Sequence, residues 1–419
     1  MKVLYVTQYF QTEPNHASTV TTYEIVVRLA GRGHTVTVVS ADSPGTARIY
    51  REGVSNPKRI NLLPIPRLST PWYDGFKVFF THTLVHFPLV ASALLANRGR
   101  RDGRFDAIIS MYHPTHFATV SAYLLCRILR IPLVVKIYDF IVEAVEPHIL
   151  RRIYRTGLGK INVQTLKKNG SLILVQSPEL REVIKGETGV DDQRLIVFPN
   201  GVDTNLFRPG IKCDELRERL GVKNKTVLLF LGGLYRQRHP ELLIKALPMV
   251  VRHIKDFVVL FAGEGPEQPK LTNLAERLGV RDFVRFIGSV KHSSVPQLIS
   301  LADVAVGPLS VTDHPSIYGS TPLTVLEYMA CGKPVVVCRG AVSESVIVDG
   351  YTGVYVEPDD ISGLSSSILH FIKDQSFSQF IGRNARDFVE EKCSWDVLIT
   401  KLESVLESIV YSGQVKISK

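Results

Sequence analysis

The chain has 419 residues, 45% hydrophobic and 21% charged, which excludes a disordered protein and leaves room for two domains of about 200 residues each. Its net charge of +10 is uneven: residues 1–205 hold 25 Lys and Arg against 16 Asp and Glu, whereas residues 206–419 hold 25 against 24. That surplus points either to an anionic partner of the first half, a membrane surface or a nucleic acid, or to a solvated basic face.

Met1-Lys2 runs straight into an apolar strand with no cleavage site, the pattern of a cytoplasmic protein. Strands are predicted at 3–7, 35–39, 107–110, 133–137 and 172–175, with a helix over 21–32 between the first two. The apolar stretch 76–96 is interrupted by Lys77, His82, His86 and Pro88, so it reads as an interfacial or buried helix and not as a membrane span. Asn200-Gly201 marks a turn, and Arg208-Pro209-Gly210 leads into a second series of strands at 227–231, 257–262, 284–287, 304–306 and 335–337. Apolar runs alternating with amphipathic ones imply an α/β protein of two Rossmann-like, doubly wound domains, with ligands beyond the carboxyl ends of the strands and a cleft between the two edges. The expected division is 1–205, 206–377 and a helical tail, 378–419, packing back toward the first domain. Cys126, Cys213, Cys331, Cys338 and Cys393 stand far apart with no C-x-x-C pair, which argues for reduced thiols over disulfides or a zinc site.

The stretch 318–337 carries the most chemistry. Gly319-Ser320-Thr321-Pro322 is turn-forming and leads into a short helix containing Glu327, which stops at Gly332 before a valine strand. Unpaired amides at such a helix start, those of Leu323 and Thr324, attract phosphate, and Glu327 one turn on can accept from ribose hydroxyls. An ordinary loop, helix and strand would give the same local pattern.

Four stretches of the second half, with Asn200-Gly201-Val202-Asp203 before them, resemble the retaining family-4 glycosyltransferases of GT-B fold. They are Gly232-Gly233-Leu234 through Arg238 with the helix after it, Ala262-Gly263-Glu264-Gly265-Pro266, Val284-Arg285-Phe286-Ile287-Gly288 with Ala302-Asp303-Val304, and the segment around Glu327. The opening 1–40 is similar as well. The resemblance implies transfer of a sugar from a nucleotide diphosphate donor, with retention of configuration, to a glycan or polyprenyl-linked acceptor in polysaccharide or glycoconjugate biosynthesis. It implies donor binding by Arg236, Arg238, Gly263, Glu264, Leu323, Thr324 and Glu327, with Arg238 and His113 catalytic; His116 competes with His113 for the cleft position. Two departures stand out: Gly233 replaces a usual arginine, for which Arg236 is the nearby substitute, and Gly319 stands where a first glutamate is usual.

No metal cofactor is expected, since Asp191-Asp192 and Asp359-Asp360 read as loop residues. Peripheral contact with anionic membrane, on its inner face, is expected from Trp72, Tyr73, Phe76, Phe79 and Phe80 followed by Arg98, Arg100, Arg101 and Arg104, and no nucleic-acid role. The other readings are an epimerase or phosphorylase, or a non-catalytic basic membrane- or nucleic-acid-binding protein on a degenerate scaffold.

Overall fold

The computed structural model describes residues 1–7, 17–40, 59–64, 104–112, 118–138, 149–168, 171–307, 309 and 319–412. Contacts divide the chain into two units. One comprises Met1–Gln176, Leu180–Phe198 and Leu398–Lys419; the other comprises Ser177–Glu179 and Pro199–Val397.

The first unit is built on β1 (Lys2–Val6), β2 (Thr35–Ser40), β3 (Ile60–Pro64), β4 (Ala107–Tyr112), β5 (Leu133–Ile137), β6 (Leu172–Val175) and β7 (Leu195–Val197). All pair in parallel, in the order β3-β2-β1-β4-β5-β6-β7. Both faces of such a sheet are covered, which is why these strands are near-continuous apolar runs and not alternating ones. The helices Ala17–Gly31, Ala118–Leu129, Ile149–Lys168 and Pro178–Thr188 supply crossovers. β3 and β7 are edge strands that the apolar pattern did not predict, and the first helix begins four residues earlier than periodicity suggested.

One residue contradicts the apolar character of β5. Lys136 is 0% exposed, and its Nζ donates to the Phe198 carbonyl oxygen at 3.1 Å. The ammonium also lies 4.5 Å from the Phe198 ring centroid and 4.8 Å from that of Tyr138. No carboxylate pairs with it among the described residues. Burial therefore dominates and pushes its pKa from 10.5 down to about 7.

The second unit contains β8 (Thr226–Leu231), β9 (Phe257–Ala262), β10 (Val284–Gly288), β11 (Val304–Val306), β12 (Val335–Cys338) and β13 (Val354–Val356). They are parallel in the order β10-β9-β8-β11-β12-β13, so the winding reverses between β8 and β11. Ligands in doubly wound sheets settle at the carboxyl ends of strands flanking such a reversal. Here those ends are Leu231-Gly232 and Val306-Gly307, with the Leu323–Ala330 helix entering β12 beside them. The predicted strands of this half all form, and β13, only three residues long, is additional. The predicted helical tail is two helices, Gln375–Lys392 and Trp395–Glu407, broken at Cys393 and Ser394. Ser394 forms a bridge with Val202, and the Trp395 indole lies against Gly201, where a Cβ would sit 2.5 Å from the ring.

Candidate functional site

At the carboxyl end of β8 the chain turns through Gly232 and Gly233 into a 3-10 turn, Arg236–Arg238, and then the helix Pro240–Val251. Gly232 has φ +141, and the Arg238 guanidinium lies over its Cα: an added Cβ would be 2.5 Å from Nη1. A side chain at Gly233 would run into the Tyr235 ring. The two glycines thus make room for two side chains folding back onto the strand end. Arg238 is half-buried, and burial lowers its pKa from the ordinary guanidinium value, with Tyr328 and Tyr235 nearby favouring the charge. Among the described residues its guanidinium has neither a carboxylate nor a carbonyl as hydrogen-bond partner. Arg236 is exposed.

The Leu323–Ala330 helix is held over this edge at both ends. Its start is fixed by Asn200, whose Nδ2 donates to the Thr321 carbonyl at 2.8 Å and whose amide donates to Thr321 Oγ1 at 3.1 Å. Pro322 is the N-cap, with no side-chain capping bond. The amides of Val325 and Leu326 turn back to the Pro322 carbonyl, whereas those of Leu323 and Thr324 have no acceptor among the described residues. Open N–H groups at a helix start attract negative charge. Further along, the Tyr328 hydroxyl accepts the Leu231 amide at 2.8 Å, tying the helix to the end of β8.

Glu327 sits on the same turn and is 6% exposed. Its Oε1 is 3.2 Å from His292 Nε2, and Oε2 has no partner among the described residues. A buried carboxylate with one oxygen unspent is suited to accept from a ligand hydroxyl.

Gly263 and Glu264 follow β9 directly. The Gly263 amide donates to the Gly288 carbonyl at 2.8 Å, and the Glu264 carbonyl accepts the Leu234 amide at 3.0 Å. Their backbone therefore packs on the Gly232–Leu234 turn, so the glycine's conformational freedom serves that close approach. The exposed Glu264 side chain accepts the Ser289 amide at 3.3 Å. Asp303 is pinned to the start of β8, accepting the Val227 amide at 2.8 Å. Asp191 and Asp360 are N-caps, bonding Gln193 and Gly363 amides. Among the described residues no group of three or more His, Cys, Asp or Glu could hold a metal ion.

Residues 18–206 match the family Glycosyltransferase Family 4, and residues 213–388 match the family Glycosyl transferases group 1. The chain belongs to the family-4 glycosyltransferases. It is an enzyme of that family, and its two parallel-sheet Rossmann-like domains are the GT-B fold. An alpha-D-kanosaminyltransferase of Streptomyces kanamyceticus is 24% identical over 92% of this chain and 98% of its own length. A GDP-mannose-dependent alpha-(1-6)-phosphatidylinositol monomannoside mannosyltransferase of Mycolicibacterium smegmatis is 27% identical over 50% of this chain and 55% of its own. Thus the chain spans about half the length of that relative and of several others. Among solved structures, Anabaena HepE in complex with UDP superimposes with a TM-score of 0.73 at 20% identity, covering 97% of this chain and 100% of that one; the likeness is one of fold.

Within this glycosyltransferase, Arg238, Leu323, Thr324 and Glu327 are brought to one strand edge, with Gly263 and Glu264 on the neighbouring turn. His113 and His116 lie outside the described residues, as do Trp72 to Phe80 and Arg98 to Arg101. Sequence reading missed His292 and Tyr328. Tyr328 stands next to Glu327 and is fully buried, which an apolar helix pattern does not distinguish from ordinary core.

Proposed function

We propose that this glycosyltransferase binds a nucleotide diphosphate sugar in its second half, with Arg238 and the amides of Leu323 and Thr324 on the diphosphate and Glu327 on the ribose. The observation that carries this is the half-buried Arg238 guanidinium, which has no acidic partner among the described residues. HepE, whose fold this chain shares, forms a complex with UDP, which supports a nucleotide as the ligand. During transfer the acceptor oxygen bonds the anomeric carbon on the face from which the diphosphate leaves. The leaving oxygen keeps the bonding electron pair, and the acceptor proton passes to it, so configuration is retained. Arg238, backed by Arg236, neutralises the charge that builds on the diphosphate. Gly263 and Glu264 border the nucleotide, and the family resemblance assigns the histidine near the transferred sugar to His113, which lies outside the described residues.

The acceptor is a glycan or lipid-linked glycan met at an anionic membrane surface. The basic surplus of residues 1–205 supports this, as does a relative named for a phosphatidylinositol-linked acceptor. No helix among the described residues is long and apolar enough to cross a membrane.

Calorimetry with nucleoside diphosphates tests the donor site. Loss of a charge-assisted hydrogen bond costs roughly 1.5–3 kcal/mol, so Glu327→Ala is expected to weaken binding about tenfold to a hundredfold. Unchanged affinity in the folded variant removes Glu327 from the site. Turnover is expected to persist in excess EDTA, because guanidinium and amide groups supply the charge that a metal ion otherwise would. Complete loss, restored by magnesium or manganese, rules that mechanism out.

A further inference from the structure

His292 opens the short turn His292–Ser294 after β10, far in sequence from the helix it touches. Its Nε2 carries the hydrogen toward Glu327 Oε1, 3.2 Å away, because an ionised carboxylate only accepts. The other side of the imidazole is braced: the Phe207 ring meets it edge-on, with centroids 5.5 Å apart and planes at 62°. Phe207 is itself buried at 1% exposure, so it is a fixed support. The His292 side chain is 38% exposed while that of Glu327 is 8% exposed, so the imidazole is the solvent-facing member of the pair and the carboxylate the buried one. A glutamate has three rotatable bonds, and ordering it at the moment of binding subtracts from affinity unless the protein has already done so.

We propose that His292 is a positioning residue for donor recognition: it fixes Oε1 of Glu327 and leaves Oε2 set for a ribose hydroxyl. This rests on the reading of Glu327 as the ribose ligand. It adds a residue that acts through the carboxylate without contacting the reacting atoms. An ion pair that served stability alone would leave hydroxyl discrimination untouched, and that difference separates the two roles.

The experiment compares affinities by calorimetry. UDP, GDP and ADP are titrated into the full chain, and the tightest is compared with its 2′,3′-dideoxy analogue. Wild type is expected to prefer the ribose form about tenfold or more. Glu327→Ala brings the ratio close to one. His292→Ala loses most of it, and His292→Gln, which keeps an N–H donor, restores a large part. His292→Phe keeps the ring against Phe207 without the donor and serves as the second donorless variant should alanine impair folding. A wild-type ratio retained by a folded donorless variant overturns the positioning role and leaves Glu327 in place. A wild-type ratio near one, or no binding of any of the three, overturns the ribose reading itself.

Discussion

Arg238→Ala is expected to lower kcat/KM about a hundredfold to a thousandfold while the protein stays folded. A preorganised donor aimed at charge that develops in the transition state contributes about 2.7–4 kcal/mol when the site excludes water. Arg238 meets the structural conditions for that role: half-buried, folded over Gly232 and free of any acidic partner among the described residues. A surface arginine in an ion pair would contribute about 0–1 kcal/mol, and its loss would pass nearly unnoticed. Arg236 is exposed two residues away and can recover part of the charge but not the position. Arg238→Lys should fall between, since an ammonium supplies charge without the planar fork that grips two phosphate oxygens. Released nucleoside diphosphate, measured at several donor concentrations, gives the ratio. A loss smaller than tenfold in Arg238→Ala, with cooperative unfolding preserved, would move the diphosphate contact elsewhere.

How far the sequence carried these conclusions depended on the range of each interaction. Ten strands of the two sheets were legible because burial on two faces makes them continuous apolar runs, a signal written locally. The start of the Leu323–Ala330 helix was legible for the same reason, from Pro322 before it and Gly332 after it. β3, β7 and β13 were not: all three lie at sheet edges, and β7 and β13 have only three residues. The pairing of His292 with Glu327 spans 35 positions, and no local pattern announces it. Gly233 illustrates a subtler limit. As a departure from the family pattern it reads as a lost cation, whereas in the fold it admits the Tyr235 ring. Lys136 was hidden differently. It occupies a position in β5 that the valines around it mark as core, and one polar residue does not break the run.

Lys136 also sets the direction in which stability should change with pH. Burial holds its pKa at about 7 in the folded chain, against 10.5 in the unfolded one. Between those values the unfolded chain binds the extra proton, so stability rises with pH, at up to about 1.4 kcal/mol per pH unit. The upper part of the window is contested. Burial raises Cys331 and Cys393 from 9.0 to about 12, and it raises the buried tyrosines Tyr5, Tyr112 and Tyr328 above their ordinary value of 10.0. Those groups hold protons longer in the folded state, so they lower stability once pH passes 9. Burial also lowers the pKa of Lys333 and Lys401, so this lysine is isolated by comparing wild type with Lys136→Met over the interval from pH 7 to 9. Across it wild type should gain about 2 kcal/mol relative to Lys136→Met, which fills a similar volume without a titrating group. At pH 7 the methionine variant should be the more stable, because a buried amine that meets, among the described residues, a carbonyl and two ring faces costs more to desolvate than those contacts return. Urea denaturation at half-unit pH steps measures the difference. Parallel curves for the two proteins from pH 7 to 9 would mean that Lys136 keeps its proton throughout, held by the Phe198 carbonyl and the two rings. In that case the expected destabilisation is absent.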